Sequence, residues 1–492
     1  MSSVGYEFLR QTLSLSGFEV SRPAAIRPVT RVMQTEGLLA VPAHVAPDGD
    51  DALDHLLFAL KHEGVNLQLL VQAIKTIQPA RLLAEIERTP NGQYIRIACC
   101  LWENFNGQHL GVRPEITVGY VDLFDPARYL TGPARRDSRW RVNFNGLGSA
   151  SYCVTVERTP SIEAALASNV LGRTKAFVNS LGPVMMDRAL AWAYLHETED
   201  SFAIERETPS ENKARAFIQL LHRAHEGHAL TQDYLAELQS STVSNPLDKA
   251  FQFRTEQNWL RGPGRGAAGV TYVPPAPDLA AALMDEWMAF ANSAPRFVDP
   301  IVAASIASFG FVFIHPFMDG NGRLSRFLFH KALCTSGKLD KGLLLPVSVA
   351  MRRHESKYLA VLQGYSRQAR DRVQVTWIDE GEYTFAFRCD DAIFRYWDAT
   401  ACVEFGFRMA AQALDVELRR ETRFLARYDA VVKRVNDQID LRGSDLATLV
   451  VICLDNQGVI SQNQRKRYAS RVPEAAIGLI EAATREVLSN EA

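Results

Sequence analysis

His315-Pro316-Phe317-Met318-Asp319-Gly320-Asn321-Gly322-Arg323-Leu324-Ser325-Arg326 is the stretch from which the rest of the chain can be read. The run before it, Ile301 to Ile314, has no charged residue, and Leu324 to Leu333 repeats apolar residues at helical spacing. The spacing predicts a helix, a short loop and a second helix. Pro316 disfavours helical backbone in the residue before it, so His315 is expected at the end of the first helix, facing the loop. Two glycines flank Asn321, and glycine lets backbone approach a ligand closely. A loop that opens a helix presents free N–H groups and the positive end of the helix dipole, an anion site. Arg323 and Arg326 are three apart and share one face of the first turns. Two guanidinium forks on one face suit a polyphosphate. Asp319 offers a hard oxygen to Mg²⁺, which takes few protein ligands and completes its shell with phosphate and water. His315 is the residue type that exchanges a proton near neutral pH.

The order of these residues resembles the core motif of the Fic family, H-P-F-x-[DE]-G-N-G-R-x-x-R, with every fixed position filled. Most characterised members of that family move AMP from ATP onto a protein hydroxyl. The resemblance implies a mainly α fold: a Fic-type helical core with a β-hairpin flap, between an α-rich N-terminal domain and a C-terminal helical domain. It implies His315 as the base that deprotonates a Ser, Thr or Tyr hydroxyl of a target protein, and Asp319 as the holder of Mg²⁺. Gly320, Asn321 and Gly322 would supply N–H groups to the α-phosphate. Arg323 and Arg326 would hold the β- and γ-phosphates of ATP, and Phe317 would be a buried anchor. Three alternatives stay open: removal of AMP, transfer from another nucleotide or phosphoryl donor, and a non-enzymatic regulatory or DNA-binding module with a silent core.

Upstream, Met185–Glu207 reads as one helix, with Leu190, Ala193, Tyr194, Glu197 and Ser201 at helical spacing. Its end, Ser201-Phe202-Ala203-Ile204-Glu205-Arg206, resembles the inhibitory motif [ST]-x-x-x-E-[GN] of Fic proteins. The resemblance implies that Ser201 and Glu205 face Arg326 and that Glu205 takes the place of the γ-phosphate. Arg206 departs from the motif, which calls for Gly or Asn. Between residues 253 and 275, two strand-like runs flank Arg261-Gly-Pro-Gly-Arg-Gly266 and read as a hairpin. It corresponds to the family's target-clamping flap, with Arg254, Gln257, Asn258 and Trp259 as target-positioning residues. An edge of that kind binds an extended segment through main-chain hydrogen bonds.

The chain has 492 residues, too many for one core. Three domains are expected: 1–160, α-rich and of unreadable role; 161–380, the Fic core, with the inhibitory helix at about 185–207 and the flap at about 253–275; and 381–492, helical. The net charge of −2 argues against a field for nucleic acid or membrane. The seven cysteines include no CxxC and suit a reducing compartment. MSSVGYEFLRQ lacks the pattern of a secretory leader, and Ile301–Ile314 is too short to span a bilayer. A cytoplasmic location is expected, with a protein target as partner, a homodimer left open, nucleic acid disfavoured and no membrane contact.

Residues 1–50 read as irregular, followed by helices at Ala52–Glu63, Leu67–Ile77, Ala80–Glu87 and Tyr94–Phe105. Beyond the core, Ser348–Tyr365 reads as one helix and Tyr383–Asn436 as two, with shorter helices at Leu446–Leu454, Gln462–Ala469 and Glu474–Leu488. The pair His55/His62 reads as structural, and the trio His222, His225 and His228 as structural or surface histidines rather than metal ligands. Arg465-Lys466-Arg467 is too short a basic run to favour a DNA-reading helix.

Overall fold

A computed structural model describes residues 2–490 except Ser244, Lys341, Glu380, Asp440 and Arg442. The fold is mainly α with small sheets, as the sequence implies. The elements around the motif are helices α1 (Pro183–Ile204), α2 (Glu211–Arg223), α3 (Gln232–Thr242), α4 (Pro277–Ser293), α5 (Pro300–Ile314), α6 (Asn321–Thr335), α7 (Val347–Arg353), α8 (Glu355–Arg370) and α9 (Thr400–Gln412). Two antiparallel hairpins stand beside them: β1 (Leu260–Arg261) with β2 (Val270–Tyr272), and β3 (Val373–Asp379) with β4 (Glu382–Phe387).

The α5 helix is the axis of the largest core. It is buried from Pro300 to Ile314 except at Val312, the position expected of a helix that is apolar all round. The Asp299 side chain accepts from Ile301 N at 2.9 Å and Pro300 occupies the first turn, so the start is capped in the usual way. The α4, α6 and α9 helices pack around it. Its C-terminal end therefore has little freedom, and that end carries His315.

Four helices of the N-terminal region lie where periodicity predicts them: Ala52–His62, Leu67–Thr76, Pro79–Arg88 and Gln93–Asn106. Residues before them are not irregular. They form a helix, Gly5–Thr12, and a four-stranded sheet. Pro23 immediately precedes the strand Ala24–Ile26 and Pro42 immediately follows Leu38–Val41, so these prolines delimit strands rather than forbid them.

A second correction falls after the motif. The stretch read as two helices from Tyr383 opens as strand β4. Val373 and Val375 stand opposite Phe387 and Phe385, an alternation of period two, and Gly381 turns the chain at φ 80°. The strand Tyr396–Asp398 then pairs in parallel with Cys153–Thr155. The helix beginning at Thr400 continues through a π-helical stretch, Ala413–Leu418, to Asn436. The helix expected at Ser348–Tyr365 breaks at His354 (φ −115°, ψ 32°), with no glycine or proline there to announce it. Gly443–Asp455, Gln462–Tyr468 and Glu474–Ser489 pack around Val431, Val435, Leu449 and Ile477 in a separate cluster.

Candidate active site

His315 caps α5 in the left-handed conformation (φ 53°). Its Nδ1 lies 3.1 Å from the carbonyl of Val312. A carbonyl only accepts, so Nδ1 carries the proton and Nε2 keeps its lone pair. The ring is 9% exposed, and burial pulls its pKa down to about 4, with the Arg254 guanidinium pushing the same way. At neutral pH His315 is thus a neutral acceptor already in its proton-taking form. The sequence reading had it titrating near neutrality.

The loop backbone is braced from below by buried side chains. Arg254 Nε donates to the carbonyl of His315 at 2.9 Å, and the Arg254 N–H donates to Pro316 O at 2.8 Å. Asn258 Nδ2 donates to Phe317 O at 2.9 Å. The Asn321 side chain also donates to Phe317 O (2.7 Å) and accepts from Phe317 N (3.1 Å). Gln239 Nε2 donates to Asp319 O at 3.1 Å. Gly320 sits at φ 83°, where an added Cβ would stand 3.0 Å from Thr242 Oγ1, so only glycine fits without strain.

The contacts of the four residues expected on the flap lie within the protein. Arg254 and Asn258 are buried beneath the loop. Gln257 Nε2 donates to Pro274 O at 3.0 Å at the base of the flap. The Trp259 ring packs on Tyr383 and Phe385 of β4. The hairpin itself is shorter than expected, with strands only at Leu260–Arg261 and Val270–Tyr272. Asn321 uses both ends of its amide to shape the loop, so what it can offer an anion is its backbone N–H.

At the other end of the loop, α6 begins with Asn321 and Gly322. Arg323 and Arg326 are each 1% exposed. Arg326 Nη2 lies 2.9 Å from Glu205 Oε1, and its Nε donates to Ser201 Oγ at 2.8 Å. Glu205 also rests on the first turn of α6, since a Cβ at Gly322 would stand 2.1 Å from Glu205 Oε1. A carboxylate there interacts favourably with the helix dipole. Arg323 Nη1 lies 2.7 Å from Glu207 Oε2, and its Nη2 is 3.2 Å from Asp319 Oδ2. Arg323 Nε and Arg326 Nη1 are buried with no hydrogen-bond partner among the described residues. Each is a donor left over for a further acceptor.

The α1 helix stops earlier than its periodicity suggests. It ends at Ile204, Glu205 is its C-cap, and Arg206 turns left-handed at φ 61°. Arg206 N donates to Ala203 O at 2.9 Å and Glu207 N to Phe202 O at 3.1 Å, the hydrogen-bond pair of a Schellman motif. That geometry explains why Gly or Asn stands at this position in the motif the sequence resembles: both tolerate positive φ.

Glu197 and Ser201 of α1 and its C-cap Glu205, four apart, meet His330, Arg326 and Gly322, four apart on α6. Glu197 Oε1 is 2.7 Å from His330 Nε2, and Glu197 Oε2 accepts from Ser348 N at 2.7 Å. Sequence reading listed Glu197 among the helical positions without a role, although its spacing from Ser201 placed it on the same face. Glu207 was also missed, because it follows the end of the helix.

Asp319 is the only carboxylate of the loop, and its Oδ1 accepts from Gly320 N at 2.6 Å. Among the described residues no cluster of three potential metal ligands occurs. His55 accepts from Gly5 N and contacts Gly49 O, a structural role. Arg465 is paired with Glu474 and Glu481, so part of the basic run is already neutralised. No described helix is long and apolar enough to cross a membrane.

Residues 229–333 match the family model described as Fic/DOC family. Over 113 residues the chain is 33% identical to the protein adenylyltransferase Fic of Aedes aegypti, covering 23% of this chain and 19% of that one. Over 196 residues it is 26% identical to the protein adenylyltransferase Fic of Nematostella vectensis, covering 34% and 43%. The matches span less than half the length of these curated relatives. A Fic family protein from Desulfovibrio desulfuricans G20 is similar at a TM-score of 0.39 and 18% identity, over 63% of this chain and 87% of that one. Residues 229–333, which hold the helices and loop of this site, are thus similar to the Fic/DOC family.

Proposed function

We propose that the protein is an adenylyltransferase, moving AMP from ATP to a hydroxyl side chain of a protein, and that Glu205 restrains it. The observation that carries this reading is the pairing of a neutral His315, with Nε2 free to accept, and a helix N-terminus flanked by two buried arginines. A target hydroxyl loses its proton to His315 Nε2 as its oxygen attacks the α-phosphorus, and pyrophosphate leaves. N–H groups of Gly320, Asn321 and Gly322 line the start of α6 and suit the charge that develops on the α-phosphate oxygens. Arg323 and Arg326 hold the outer phosphates and keep the leaving group in line.

Mg²⁺ fits the donor set through Asp319 alone, in keeping with its habit of binding by one carboxylate and phosphate oxygens. When bound it would neutralise phosphate charge. Asp319 would first have to give up its contact with Arg323. The names of the curated relatives support transfer of AMP as the chemistry. The contact of Glu205 with Arg326 supports restraint, because a guanidinium engaged by a carboxylate is not available to a phosphate.

The test is incubation of purified protein with Mg²⁺ and ATP labelled at the α- or the γ-phosphorus, together with lysate from the source cells. Adenylyl transfer leaves the α label on protein and releases the γ label in pyrophosphate. Retention of γ label without α label would make the protein a phosphoryl transferase instead.

A further inference from the structure

We infer that Glu207 is a second restraining carboxylate, acting on Arg323 as Glu205 acts on Arg326. The inference rests on the reading of this loop as a triphosphate site and extends it to the other arginine.

In a helix that ends in a Schellman motif, the residues on either side of the left-handed position are brought round together. Here that position is Arg206, and its neighbours are Glu205 and Glu207. A continuous helix would place residues two apart about 200° from each other and send the second carboxylate away from α6. The left-handed turn brings Glu207 back, 2.7 Å from Arg323 Nη1. In many such turns an apolar side chain after the turn packs on one in the last helical turn. Here Glu207 holds Arg323, whose guanidinium lies over the Phe202 ring at 5.2 Å to the centroid. A charged pair laid on an aromatic ring takes the place of the apolar contact.

The result is a matched set, with one short segment delivering two carboxylates to two buried guanidinium groups. Both arginines that could hold the outer phosphates are engaged at once. Asp319 adds a third carboxylate on Arg323. Lys213 is the nearby cation from the facing helix, close enough to interact with Arg323, Glu207 and Asp319. Removing Glu205 alone leaves Arg323 occupied, so restraint is released in two steps, each worth a gain in triphosphate affinity.

The experiment measures binding of ATP with Mg²⁺ by calorimetry to the full chain and to Glu205→Gly, Glu207→Gln, Glu207→Ala and the double variant Glu205→Gly/Glu207→Gln. Thermal melts confirm that each is folded. Glu207→Gln is expected to tighten binding about fivefold, a typical coupling between linked contacts. The double variant should bind more tightly than either single one. In an Arg323→Ala background the gain from Glu207→Gln should vanish, while the gain from Glu205→Gly persists. If Glu205→Gly tightens binding but neither Glu207 variant does so in either background, the second restraint is wrong and the first stands. If no variant binds ATP, the reading of the site falls and the inference falls with it.

Discussion

The loop His315–Gly322 and the turn Ile204–Glu207 meet at the N-terminus of α6, and they are held in opposite ways. The loop is fixed by donors from buried side chains, Arg254, Asn258, Asn321 and Gln239, each satisfying a carbonyl of the loop. The turn is fixed by a left-handed arginine and by two carboxylates, each 36% exposed, reaching buried guanidiniums. The loop's buried hydrogen bonds cannot be exchanged for water without cost, whereas the part-exposed carboxylates can leave the buried guanidiniums once another anion, such as a phosphate, takes their place. The difference teaches where control resides. On the proposed reading the reacting groups are built in place, and what would change between silent and active states is the turn.

The largest expected effect breaks the loop side. His315→Ala should lower transfer by roughly 10²–10⁴, the usual cost of losing a general base, with ATP affinity nearly unchanged by calorimetry. Wild-type transfer in that variant would remove His315 from the mechanism. Next comes the turn. Arg206→Gly removes a left-handed strain of about 1–2 kcal/mol, so the restraint should tighten and background self-labelling fall by about fivefold. A rise would mean that the Arg206 side chain, not its backbone, sets the restraint.

Asn258→Ala leaves Asn321 as the remaining side-chain donor to Phe317 O and should cost about 1–2 kcal/mol of stability, seen as an earlier thermal transition. An unchanged melt would show that the brace is dispensable. The smallest effect concerns pH. Because His315 titrates near 4, kcat/KM should be flat between pH 6 and 8 as far as the base is concerned. A fall centred near 6.5 would mean an ordinary exposed histidine. The same shift has a stability consequence. The unfolded chain takes up the proton below about pH 6.5 while folded His315 refuses it until about 4, so stability declines as pH falls through that interval.

The loop was legible because its chemistry is local, with every fixed residue inside one helix–loop–helix. Glu205 was legible through the resemblance of Ser201–Arg206 to the inhibitory motif, since its spacing from Ser201 alone is common on helices. Glu207 was not, because its partnership depends on a left-handed turn that an arginine does not advertise. The depressed basicity of His315 needed the packing of α5, which no short window contains. The β3–β4 hairpin was hidden in a proline-free stretch that also suits helix, and its period-two alternation is the signal that distinguishes the two. The strand Tyr396–Asp398 could not be foreseen, since its partner is Cys153–Thr155, far away in sequence.

The most direct test of the account compares labelling from α-labelled ATP by wild type, Glu205→Gly and Glu205→Gly/Arg326→Ala, each verified as folded by circular dichroism. The account predicts self-labelling in Glu205→Gly well above wild type, and loss of that gain when Arg326 is also removed. Labelling in Glu205→Gly that stays level with wild type or falls below it would contradict restraint by this turn.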